Sequence, residues 1–167
     1  ARPGVVGLVN IVGSGMRGGP VEQNLADMDA RLTAMRIRQY PAIIVGIKTA
    51  HYQGPEWDPV DRAVEAGKMT NVPIMVDFGD FVPERPFQDL VLKHLRPGDM
   101  YTHTYLGRVP MLDSQGKVMP YLFEARKRGV LFDVGHGGGS FLFSQAVPAM
   151  KQGFIPDSIS TDLHTGS

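Results

Sequence analysis

Apolar residues recur along the chain in short β-branched blocks, and the stretches between them carry helical spacing. "VVGLVNIVG", Val5 to Gly13, predicts a buried strand. Beyond the glycine-rich "SGMRGGP", a stripe of Leu25, Met28, Leu32, Met35 and Ile37 predicts a helix over 21–38, which Pro41 ends. The strand "AIIVGIK" follows, then a helix with Asp58 as N-cap and Pro59 at its first position. "VPIMVDFG" predicts a strand, "PFQDLVLKHL" a short helix, "RPGD" a turn and "MYTHTYLG" a further strand. "PYLFEARKRG" predicts a helix with Gly129 just past its end; "VLFDVGHGGG" a strand, "SFLFSQAVPAMKQG" a helix and "DSISTDLH" a last strand. Alternation at this spacing predicts an α/β protein with a parallel sheet, since each return needs a helical crossover. Two architectures fit: an open doubly wound sheet and a (β/α)8 barrel. "GSGMRGG" has neither the GxGxxG spacing nor a P-loop lysine, so a loop requiring positive φ is its ordinary explanation.

Composition narrows the partners. The 167 residues, 43% of them hydrophobic, suffice for one sizeable core. Seventeen basic side chains balance seventeen acidic ones, which removes the electrostatic footprint of nucleic-acid binding and favours a small-molecule or protein partner. The absence of cysteine excludes disulfides and thiolate metal sites. "VVGLVNIVG" is too short to span a bilayer and lacks a basic n-region and cleavage site, so no membrane role is expected. Cytoplasm is the default compartment, with a signal peptide upstream of Ala1 left open. A strand pattern beginning almost at the first residue and another reaching nearly to the last suggest a piece of a larger protein.

The polar residues carry the chemistry. Lys48, Asp77, His103, His136 and Asp162 sit at or just beyond the C-terminal ends of successive apolar runs. In a parallel barrel these ends share one face, where barrel enzymes place their active sites. Imidazole nitrogen and carboxylate oxygen together suit a hard or borderline divalent metal. Taken singly, each has a plainer role: a solvated strand-end lysine, a loop-capping aspartate, a satisfied core histidine. The glycines of "GHGGGS", Gly137 among them, permit close backbone approach to an anionic or carbonyl ligand, or simply a tight turn. His51, Trp57, Tyr105 and Arg108 could line a pocket, with loop packing as the ordinary alternative.

"GIK", "THTYLG", "LFDVGHGGGSF" and "SISTDLH", in this order, resemble the amidohydrolase superfamily, in particular its deacetylase-like, dihydroorotase-like branch. The resemblance implies a (β/α)8 TIM-barrel metallohydrolase, with residues 1–167 forming about six β/α units, strands three to eight. The first two strands with their H-x-H metal ligands, the last helix and a small β-sandwich domain would be absent. It further implies one or two divalent ions, zinc foremost, and a carboxylated lysine at Lys48. His103 and Asp162 match metal ligands, and Asp162 also matches the residue that shuttles the proton of the hydrolytic water. His136 and Gly137 are assigned to substrate contact. Asp77 stands where the family usually has a histidine ligand, which leaves metal identity and stoichiometry open. The implied activity is hydrolysis of a small-molecule amide or ester, deacetylation above all. Ring opening of a cyclic amide is an alternative, and so is a catalytically silent fragment. Unpaired sheet edges predict poor solubility or a homo-oligomer.

Overall fold

The computed structural model describes residues 4–163 and places five strands where the apolar blocks lie, all but the second shorter than their blocks. The chain divides into two compact units between Phe78 and Gly79.

In the first unit, β1 (Gly7–Asn10), β2 (Ile44–Ala50) and β3 (Ile74–Asp77) are parallel neighbours in that order. Asn10 pairs with Lys48, and Ala50 with Asp77, so the strand tips are in register. The parallel direction follows from the crossovers. α1 (Ala30–Gln39) returns the chain from β1 to β2, and α2 (Asp58–Thr70) from β2 to β3. Ile47, Ile74 and Val76 are buried in the sheet beneath Val60, Ala63 and Val64 of α2.

The helix predicted over 21–38 begins only at Ala30. Asp29 accepts hydrogen bonds from the Arg31 and Leu32 amides and sets the N-terminus there. Short 3-10 turns at Gly19–Gln23 and Leu25–Asp27 precede it. Its buried face is Ala30, Thr33, Ala34 and Ile37, at i, i+3, i+4 and i+7. Leu32 and Met35, expected in the stripe, are 64% and 54% exposed. α2 has Trp57 rather than Asp58 as N-cap, with Pro59 still in its first turn. In the loop after β1, Gly15, Gly18 and Gly19 take positive φ, the ordinary explanation of "GSGMRGG".

In the second unit, α3 (Phe87–Asp89) runs on into a π-helical turn at Leu90–His94. Asp99 then closes "RPGD" by accepting hydrogen bonds from the Arg96 amide and guanidinium. β4 (Met100–Tyr101) and β5 (Leu131–Phe132) are parallel, joined through α4 (Pro120–Lys127), with Gly129 at φ 92 just after that helix. Phe87 packs edge-on against Tyr101 at 4.7 Å and Phe132 against Phe154 at 5.0 Å, an aromatic core. α5 (Phe143–Lys151) follows. The expected last strand does not form among the described residues. The segment makes one parallel bridge, Ser158 to Asp133, and its serine hydroxyls donate to the Asp133 carboxylate. The end of "DSISTDLH", His164, lies outside the described residues. Among the described residues no helix is long and apolar enough to cross a membrane.

Candidate active site

The named polar residues fall into two clusters, one in each unit. In the first, the β2–β3 register sets Lys48 and Asp77 on adjacent strands, and Lys48 Nζ lies 2.8 Å from Asp77 Oδ2. Their side chains are 17% and 5% exposed, so this ion pair is largely shielded from solvent. His51 follows β2 with its Nε2 3.8 Å from the same Asp77 oxygen, and its Nδ1 is 2.7 Å from Glu22 Oε2.

In the second unit, His103 follows β4 and its Nδ1–H donates to the Gly135 carbonyl at 2.7 Å. In the neutral ring that bond leaves the lone pair on Nε2, which faces Asp162 Oδ2 at 3.9 Å. Two glycines make the approach feasible. A Cβ on Gly135 would lie 2.7 Å from His103 Nδ1, and one on Gly137 would lie 2.8 Å from Asp162 Oδ2. Both glycines also take positive φ. Gly137 therefore admits the aspartate by having no side chain. The amides of His136 and Gly137 donate to the Ser160 and Thr161 carbonyls, each at 2.9 Å. His136 is exposed, and its ring stacks on Phe141 at 5.2 Å. Tyr105 is fully buried and donates to the Phe154 carbonyl at 3.1 Å. Arg108 pairs with Asp80 at 3.0 Å on the surface.

Asp133 is the residue that sequence reasoning missed. It is 1% exposed and accepts hydrogen bonds from three hydroxyls: Thr102 at 2.7 Å and Ser158 and Ser160 at 2.6 Å. Its carbonyl accepts from both the amide and the hydroxyl of Thr104. Thr102 and Thr104 flank His103, and Ser160 lies two residues before Asp162, so one buried carboxylate ties down both. A charge in the middle of the apolar run "LFDV" was the available signal.

Backbone strain marks the same places. Among the described residues, four non-glycine residues have positive φ: His51 at 55°, Asn71 at 55°, His103 at 60° and Asp162 at 48°. Asn71 caps α2, an ordinary use of the left-handed region. The other three are chemically capable side chains held in a conformation costing roughly 1–3 kcal/mol each.

The donors fit a divalent cation in kind. Among the described residues, however, no three His, Cys, Asp or Glu side chains group closely enough to hold one by themselves. A carboxylated Lys48 would place a second anion beside Asp77, an arrangement that a cation between them would favour.

No family model matches the chain. A deacetylase of Enterococcus faecalis is 31% identical over 171 residues, covering 98% of this chain and 46% of the relative. A deacetylase of Brucella anthropi is 38% identical over 131 residues, covering 72% of this chain and 31% of its own length. A crystal structure of an adenine deaminase superposes with a TM-score of 0.88 at 30% identity, and one of a dihydroorotase with 0.79 at 30%. Each superposition covers 98% of this chain and 46% of the solved one. The chain belongs to the amidohydrolase superfamily. Its parallel α/β order is that of an incomplete (β/α)8 barrel. This amidohydrolase chain spans less than half the length of the relatives it matches.

Proposed function

We propose that the protein containing this chain is a metal-dependent hydrolase that removes an acyl group, acetyl above all, from a small amide or ester. The observation that carries the reading is the His103–Asp162 pair: a histidine whose Nδ1 is fixed to a carbonyl, an aspartate 3.9 Å from its other nitrogen, and positive φ at both. The deacetylase relatives add the substrate class.

Lys48 and Asp77 are side chains suited to hold a divalent ion in the first unit, and His103 and Asp162 one in the second, zinc foremost. When bound, such an ion polarises the scissile carbonyl and lowers the pKa of water toward neutrality. Carboxylation of Lys48 forms a bond from its uncharged ε-nitrogen to the carbon of carbon dioxide and releases one proton to solvent, turning a cation into an oxygen donor. His103, held through Nδ1, presents Nε2 in one orientation. Asp162 accepts the proton of the water whose oxygen attacks the acyl carbon. The C–N or C–O bond then breaks, and Asp162 returns the proton to the departing amine or alcohol, leaving the carboxylic acid. His136, with its ring braced by Phe141, and the adjoining Gly137 contact the substrate.

Asp162→Asn in the full-length protein is expected to lower turnover about 10²–10⁴-fold while metal content is retained. Full turnover in that variant overturns the role of Asp162. Ring opening of a cyclic amide is the second reading, favoured by the dihydroorotase likeness. A panel of N-acetyl amino acids, acetyl esters and cyclic imides separates the two.

A further inference from the structure

His51 and Glu22 lie outside every role assigned so far, and their geometry is specific. Glu22 is 0% exposed, and its Oε2 faces His51 Nδ1 at 2.7 Å. Its other oxygen, Oε1, is buried and has no hydrogen-bond partner among the described residues. A buried carboxylate with an unsatisfied oxygen is costly, and that cost falls when positive charge collects beside it. Glu22 and His51 both line a cavity of about 510 Å³ that also reaches Gly18 and Gln53. The His51 side chain is 51% exposed, so the imidazole is reachable from solvent.

The backbone is held as firmly as the ring. His51 sits at φ 55, in the left-handed region. The Gln23 side chain clamps that turn, donating to the His51 carbonyl at 2.9 Å and accepting from the Gln53 amide at 2.9 Å. His51 is thus forced off the strand direction at the tip of β2, with Nδ1 on Glu22 and Nε2 3.8 Å from Asp77 Oδ2. A carboxylate behind an imidazole whose far nitrogen faces an oxygen donor is the arrangement that orients metal-binding histidines.

We infer that His51 Nε2 and Asp77 Oδ2 are two donors to a divalent cation, and that Glu22 is the positioning residue that fixes the His51 tautomer. This rests on the metal-dependent reading above and adds to it an imidazole donor from the segment after β2. Glu22 strengthens His51 as a ligand by accepting from Nδ1, and the cation's charge, reaching the ring, compensates the buried carboxylate.

The test is a zinc titration of the full chain followed by nitrogen-15 resonances of the histidine rings, with zinc uptake measured in parallel by equilibrium dialysis. The His51 Nε2 resonance is expected to shift with zinc and saturate at the same Kd as uptake. His51→Asn, which tolerates the left-handed backbone, should weaken uptake at least tenfold with thermal stability maintained. Glu22→Gln should weaken it about 10–100-fold. If His103 responds to zinc while His51 stays put, the inference is lost and the hydrolase reading stands. If neither ring responds and no zinc is taken up, both are lost.

Discussion

Asp133 ties several segments of the second unit together, because three hydroxyl donors converge on its carboxylate. Asparagine in its place would turn one acceptor oxygen into a donor facing hydroxyl groups. Asp133→Asn is therefore expected to lower unfolding free energy by about 2–4 kcal/mol in urea titrations. Because the lost bonds anchor the segments bearing His103 and Asp162, any zinc uptake that follows the proposed metal-dependent reading should weaken with it. Gly135→Ala tests the same region by steric means. A Cβ 2.7 Å from His103 Nδ1, on a backbone at φ 52, has no room to relax without moving the histidine. At this scale the sequence was half legible. Lys48, Asp77, His103 and Asp162 were visible because charged or imidazole groups ended apolar runs. Glu22 was not visible: it lies in a 3-10 turn without periodicity, and its partner His51 is distant along the chain.

At the scale of the element, α1 shows why an apolar stripe misleads. Its spacing suggested Leu32, Met35 and Ile37, yet of these only Ile37 turns inward, beside Ala30, Thr33 and Ala34, while Leu32 and Met35 are exposed. The Asp29 cap sets where the helix begins, which a hydrophobicity count does not register. Ile37→Ala is expected to cost about 2–4 kcal/mol, whereas Leu32→Gln should change stability by no more than about 0.5 kcal/mol. Chemical denaturation of both variants checks the ranking, and a larger loss at Leu32 would reverse it. The strands were legible in position but not in length. β4 and β5 pair over two residues each, and just beyond them the backbone leaves the strand conformation at His103, φ 60.

For the molecule as a whole, two buried phenols tie stability to alkaline pH. Burial pushes Tyr105 and Tyr121 up to about 12. Their folded pKa values exceed the unfolded value of roughly 10, so the stabilisation is complete below pH 10 and is lost as pH rises through 12. Titration of tyrosinate absorbance should show Tyr105 and Tyr121 ionising above the ordinary tyrosine range, and stability should fall across that window. The exposed apolar side chains Val6, Leu8, Leu32 and Met35 predict concentration-dependent association in sizing chromatography, which a monodisperse monomer would contradict. The contorted main chain at positions 51, 103 and 162 has a bearing on descent. Histidine and aspartate sit there against conformational preference, so if the proposed hydrolysis is what requires them, relatives that have lost it should drift toward glycine or asparagine at these three sites, gaining robustness as they do. The identities found there across a lineage would then record where hydrolysis was abandoned.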